Sequence, residues 1–143
     1  MITFKKAIAA AGITTALMFA APFAQAEMMK FTTTLNGASG VPPAETTATG
    51  SAEVSVDTDA KKVTWTVKVD GLSGDATAAH IHGPASVTEK AAPVIDMSAG
   101  IMQGSGDITD AQIAELKAGK YYLNVHTAKF PDGEIRGQLA VAP

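Results

Sequence analysis

The chain has 143 residues, with 11 Lys and Arg against 14 Asp and Glu, three histidines and no cysteine. This length suits one ordinary domain, and the acidic balance argues against nucleic acid as a partner. The lack of cysteine excludes disulfides and restricts any metal site to nitrogen, oxygen or thioether ligands.

The first segment in chain order reads as a targeting signal. Lys5 and Lys6 precede an apolar run from Ala7 to Ala21, and Ala24-Gln25-Ala26 offers the small-x-small pattern of signal-peptide cleavage. The run is short for a bilayer-spanning helix and ends at Pro22. The expectation is therefore a signal peptide over residues 1–26 and one domain over 27–143. No membrane span remains after cleavage, and the destination is periplasmic or secreted.

From Phe31 onward the dominant period is two. Phe31, Thr33 and Leu35 alternate with threonines; Ala52, Val54 and Val56 alternate with Glu53 and Ser55; Val63, Trp65, Val67 and Val69 alternate with Thr64, Thr66 and Lys68. Such alternation predicts half-buried strands. The stretch 57–61, Asp-Thr-Asp-Ala-Lys, suits a hairpin, and 36–50, with two glycines before Pro42-Pro43 and a third at Gly50, reads as a loop. Further strands are expected from Thr77 to His82, Tyr121 to His126 and Glu134 to Val141. Gly104-Ser105-Gly106 reads as a loop. Thr109 can cap a short helix with Gln112 as its capping-box partner, Ile108 and Ile113 as a hydrophobic staple and Gly119 as its end. The predicted class is all-β, an antiparallel Greek-key-like β-sandwich with one short helix.

All three histidines fall in two of these strands, Ala78-Ala79-His80-Ile81-His82-Gly83 and Leu123-Asn124-Val125-His126-Thr127. Strand side chains alternate, so His80 and His82 share the face opposite Ile81. Leu123 and Val125 belong to the core, which sends Tyr122, Asn124 and His126 outward. Ile135, Leu139 and Val141 likewise send Glu134, Arg136 and Gln138 outward. The connection 127–133 is short enough to pair these last two strands, placing Arg136 on the His126 face.

One exposed strand histidine is ordinarily a solvated side chain. Three in two motifs facing the same way point instead to a metal ion held by His80, His82 and His126, with Arg136, Asn124 and Tyr122 around it. Converging imidazoles suit copper ahead of zinc, and either better than a hard cation. Met97 and Met102 are softer donors better read as packing residues. No nucleophile elbow and no EF-hand spacing occurs, and no catalytic residue is assigned.

Four segments in order resemble the CHRD domain, named from the chordin proteins. They are Leu35-Asn36-Gly37 with Val41-Pro42-Pro43, Ala78 to Pro84, Tyr122 to Thr127, and Gly133 to Leu139. The resemblance implies a secreted β-sandwich without an agreed biochemical activity. A weaker similarity, carried by His-x-His, a later strand histidine and an arginine, is to the copper site of copper/zinc superoxide dismutases. This chain lacks their cysteines and has too few histidines for a copper and zinc pair. Three functions follow: an exported copper-binding protein, a non-catalytic recognition or structural module that binds another exported protein or extracellular matrix, and a copper-dependent redox activity of the dismutase type.

Overall fold

The computed structural model describes residues 27–143, and the expected signal peptide lies outside them. Its framework is the meander of β1 (Met28–Asn36), β2 (Thr49–Asp57) and β3 (Lys62–Asp70). Phe31 lies opposite Val54, and Val54 opposite Trp65. The inward residues Phe31, Leu35, Val54, Val63, Trp65 and Val67 are all buried, whereas Thr32, Thr34, Glu53, Thr64, Thr66 and Lys68 are exposed. The β2–β3 hairpin forms as its composition predicts. The Asp57 carboxylate accepts from the backbone N–H groups of Asp59 and Ala60 at 3.0 and 2.8 Å.

The remaining strands are β4 (Ala76–His82), β5 (Pro93–Asp96), β6 (Gln103–Asp107), β7 (Tyr122–Thr127), β8 (Ile135–Gln138) and β9 (Ala140–Val141). One antiparallel sheet contains them all in the order β5-β4-β7-β8-β1-β2-β3-β6, with β9 also on β1. Eight strands laid flat would separate the outermost pair by roughly 34 Å. The stretch from Asp96 to Gln103 that joins these two edges spans at most about 25 Å, so the sheet must curl. It does: a side chain added at Gly106 of β6 would meet Ile95 of β5 at 3.9 Å, and the Trp65 indole donates to the Gly100 carbonyl of the connecting turn at 2.8 Å. The result is a nearly closed, barrel-like sheet around one core.

The one α-helix among the described residues, α1 (Asp110–Lys117), is capped as expected, with Thr109 and Gln112 bonded reciprocally and Ile113 and Leu116 buried. Three places depart from the sequence reading. Gly104-Ser105-Gly106, expected as a loop, belongs to β6. A Cβ at Gly104 would stand 2.6 Å from the Trp65 ring, so the indole of the neighbouring strand fills the inward space that a side chain would otherwise occupy. Alternation is invisible there because glycine occupies the inward positions. Strand β5 has four residues, one of them proline, too few to show a period. The expected run from Glu134 to Val141 is divided at Leu139, so that β8 pairs with β7 and β9 with β1.

Candidate metal centre

The pairing of β4 with β7 supplies the adjacency that alternation alone cannot prove. His82 lies opposite Tyr122, His80 opposite Asn124, and Ala78 opposite His126. Ala79, Ile81, Leu123 and Val125 are fully buried on the core side, so all three imidazoles project from the other face. Ring centroids stand 5.1 Å apart for His80 and His126, 5.5 Å for His80 and His82, and 6.2 Å for His82 and His126.

Backbone carbonyls set the direction of two rings. His82 Nδ1 lies 3.0 Å from the Ala91 carbonyl and His126 Nδ1 2.8 Å from that of Pro131. A carbonyl only accepts, so both Nδ1 atoms carry the proton and both Nε2 atoms keep a lone pair. His82 Nε2 is buried and has no hydrogen-bond partner. His126 Nε2 lies 3.1 Å from His80 Nδ1, while His80 Nε2 is 3.8 Å from the exposed Asp96 carboxylate. Burial and then the neighbouring His126 lower the pKa of His80, opposed by Asp96. Burial also lowers that of His82, opposed by the Ala91 carbonyl and reinforced by His80, His126 and Arg136. Both shifts favour the neutral, coordinating form.

One nitrogen from each histidine lies within 4.8 Å of the others. Nitrogens bound tetrahedrally at about 2.0–2.1 Å stand about 3.3 Å apart, so small side-chain movements would bring all three onto one ion. The group is thus able to hold a metal ion.

The surrounding residues are outward, as the alternation predicts, but they are not solvated. Tyr122, Asn124 and Arg136 are 3, 9 and 3% exposed, because loops cross over this face. The Tyr122 ring stacks on His82 at 4.8 Å and 2°, and the Arg136 guanidinium lies over the same Tyr122 ring at 3.6 Å. The Tyr122 hydroxyl reaches Ala91, and the Asn124 amide donates to the Asp132 carbonyl at 3.1 Å, holding the loop that bears Pro131. Arg136 donates to the Ser86 carbonyl at 3.0 Å and forms no ion pair with Glu134 or Asp132.

Glu134 corrects the sequence reading. It precedes β8, where alternation does not apply, and its carboxylate is 1% exposed. Thr46 and Ser73 donate to it at 2.8 and 2.7 Å and Thr127 at 2.7 Å, with the Ser73 N–H adding a further bond. Burial opposes its charge, but these bonds outweigh burial and hold the carboxyl below its ordinary value. Met97 is buried in the core, and Met102 is partly exposed. The acceptors Ala91, Pro131, Ser86 and Asp132 escape sequence reasoning because a main-chain carbonyl leaves no residue-type signal. Asp96 escapes it because β5 does.

Beside His82 and His126 opens a cleft of about 510 Å³ between the segment 40–45 and the loop 129–134. Tyr122, Asn124 and Arg136 form its floor. No helix among the described residues is long and apolar enough to cross a membrane. Neither a curated protein nor a solved structure matches the sequence at a significant level, so the likeness to superoxide dismutases gains no support. The CHRD domain profile matches residues 31–139, a span from β1 to Leu139 that takes in all three histidines, and the chain therefore belongs to the CHRD domain family.

Proposed function

We propose that this chain is an exported copper-binding protein that holds one ion on His80, His82 and His126. The observation that carries the reading is His82 Nε2, a buried lone pair with no partner beside two other imidazoles. A buried polar atom without a hydrogen bond costs about 1–3 kcal/mol. A bound cation would satisfy it. The Nδ1-to-carbonyl bonds of His82 and His126 are the outer contacts that orient metal-ligating imidazoles. All-nitrogen donors without thiolate favour copper among the common divalent ions. Three ligands leave a coordination position open towards the cleft. In this reading Tyr122 fixes the His82 ring by stacking, Asn124 fixes the loop that orients His126, and Arg136 bounds the open side.

The test is metal analysis of untagged protein offered copper and zinc in competition, followed by titration of the single and triple His→Ala variants. Stoichiometric copper, a nitrogen-rich electron paramagnetic resonance signal and its loss in the triple variant are expected. Unchanged stoichiometry in the triple variant overturns the site, and absence of any retained metal leaves a recognition module. N-terminal sequencing of the exported protein is expected to begin at Glu27.

A further inference from the structure

Arg136 is a buried cation that no carboxylate pairs with. Residue 136 is 3% exposed, yet none of the ion pairs among the described residues includes it. One nitrogen donates to the Ser86 carbonyl and one face rests on Tyr122. A guanidinium has five N–H donors, and none of its nitrogens is both fully enclosed and unpaired, so the remaining donors keep access to solvent. Arg136 lines the cleft beside His82 and His126 and also a neighbouring one bounded by Val87 and Thr88. The carboxylates along the cleft do not neutralise it. Glu134 is closed off by Thr46, Ser73 and Thr127, while Glu45 and Asp132 are exposed. Burying an unpaired charge is costly, and Arg is the side chain whose planar fork matches a carboxylate. The rest of the cleft offers apolar surface from Pro42, Pro43 and Phe130.

We propose that this cleft binds an organic carboxylate, with the anionic group on Arg136 and the apolar body against Pro42, Pro43 and Phe130. The inference does not depend on the metal. The test therefore uses chelator-treated protein, with benzoate as the probe and benzamide, its neutral isostere, as the comparison. Benzoate is expected to bind saturably and about tenfold or more tighter than benzamide, as a charge-assisted bidentate contact requires. The Arg136 side-chain N–H and the Phe130 ring resonances should move together on titration. Arg136→Gln and Arg136→Lys should each weaken benzoate by about tenfold while leaving benzamide unchanged. Should Arg136→Gln fail to fold, the wild-type benzoate-to-benzamide ratio and the resonance map still decide. Equal affinity for the two probes, no saturable benzoate binding, or shifts confined to other surfaces overturns the proposal. Since no metal is present, none of these outcomes bears on copper binding.

Discussion

The two halves of the sheet use alternation differently. In β1–β3 the inward residues form the core and the outward residues Thr32, Thr34, Glu53, Thr64 and Thr66 meet water. In β4, β7 and β8 the inward residues again form the core, but the outward residues His82, Tyr122, Asn124 and Arg136 are buried as well, under the loops that supply Ser86, Ala91, Pro131 and Asp132. Period two therefore reports which side of a sheet a residue occupies. It does not report whether that side is wet.

The largest expected effect separates the two outward faces. Tyr122→Ala removes a ring packed between His82 and Arg136 and should cost about 3–5 kcal/mol, as much as the inward Leu123→Ala at about 2–5. Thr64→Ala, outward in the meander, should stay within about 0.5 kcal/mol. Urea titrations that found Tyr122→Ala as mild as Thr64→Ala would erase the distinction between the halves.

Removing one donor–acceptor match under the covered face comes next. Glu134→Gln places an amide N–H₂ among the donors Thr46, Ser73 and Thr127 and should cost about 1–3 kcal/mol. The Glu134 pKa is lowered from 4.5, so its contribution is present above that value and is lost as pH falls through the folded-state value. A variant whose stability between neutral pH and pH 4.5 equals that of the wild type would show that the network is idle.

A comparable loss should follow at the far edge of the meander. Gly104→Ala pushes a methyl into the Trp65 ring at 2.6 Å and should cost about 1–3 kcal/mol. Gly106→Ala meets its nearest neighbour at 3.7 Å and should change little. Equal thermal shifts for the two would mean that the indole does not rest where β6 leaves room for it.

The smallest effect is a pH slope confined to the histidine half. The pKa values of His80 and His82 are lowered from 6.5, so the unfolded chain takes up protons before the folded one. Metal-free protein should lose stability as pH falls through 6.5 and below, until the folded-state values are passed. Copper affinity should fall in the same direction, because protonated imidazole does not coordinate. A His80→Ala/His82→Ala variant that retained the full slope would assign it elsewhere.

Much of this was legible in the residues. Alternation placed Trp65, Leu123, Val125, Ile135 and Leu139 in the core, and all are buried. The capping signature located α1, and strand period put three histidines and Arg136 on one face. The adjacency of β4 and β7 was not legible, since β5, β6 and α1 intervene in the chain and neighbours are most often consecutive strands. The strand character of Gly104-Ser105-Gly106 was hidden because its inward volume is borrowed from Trp65. Glu134 was misplaced because it sits one residue before the ladder that would have fixed its direction. That these loops fold back over the face carried no signal.

That last point bears on how the site would tolerate change. The groups that hold His82 and His126 in orientation are the main-chain carbonyls of Ala91 and Pro131. Replacing the Ala91 side chain leaves its acceptor in place, so the covering loops can drift in composition while the imidazoles keep their aim. Inserting or deleting one residue between Gly83 and Pro93, or between Thr127 and Gly133, displaces the carbonyl itself. At this site loop length, more than loop sequence, sets the aim of the imidazoles.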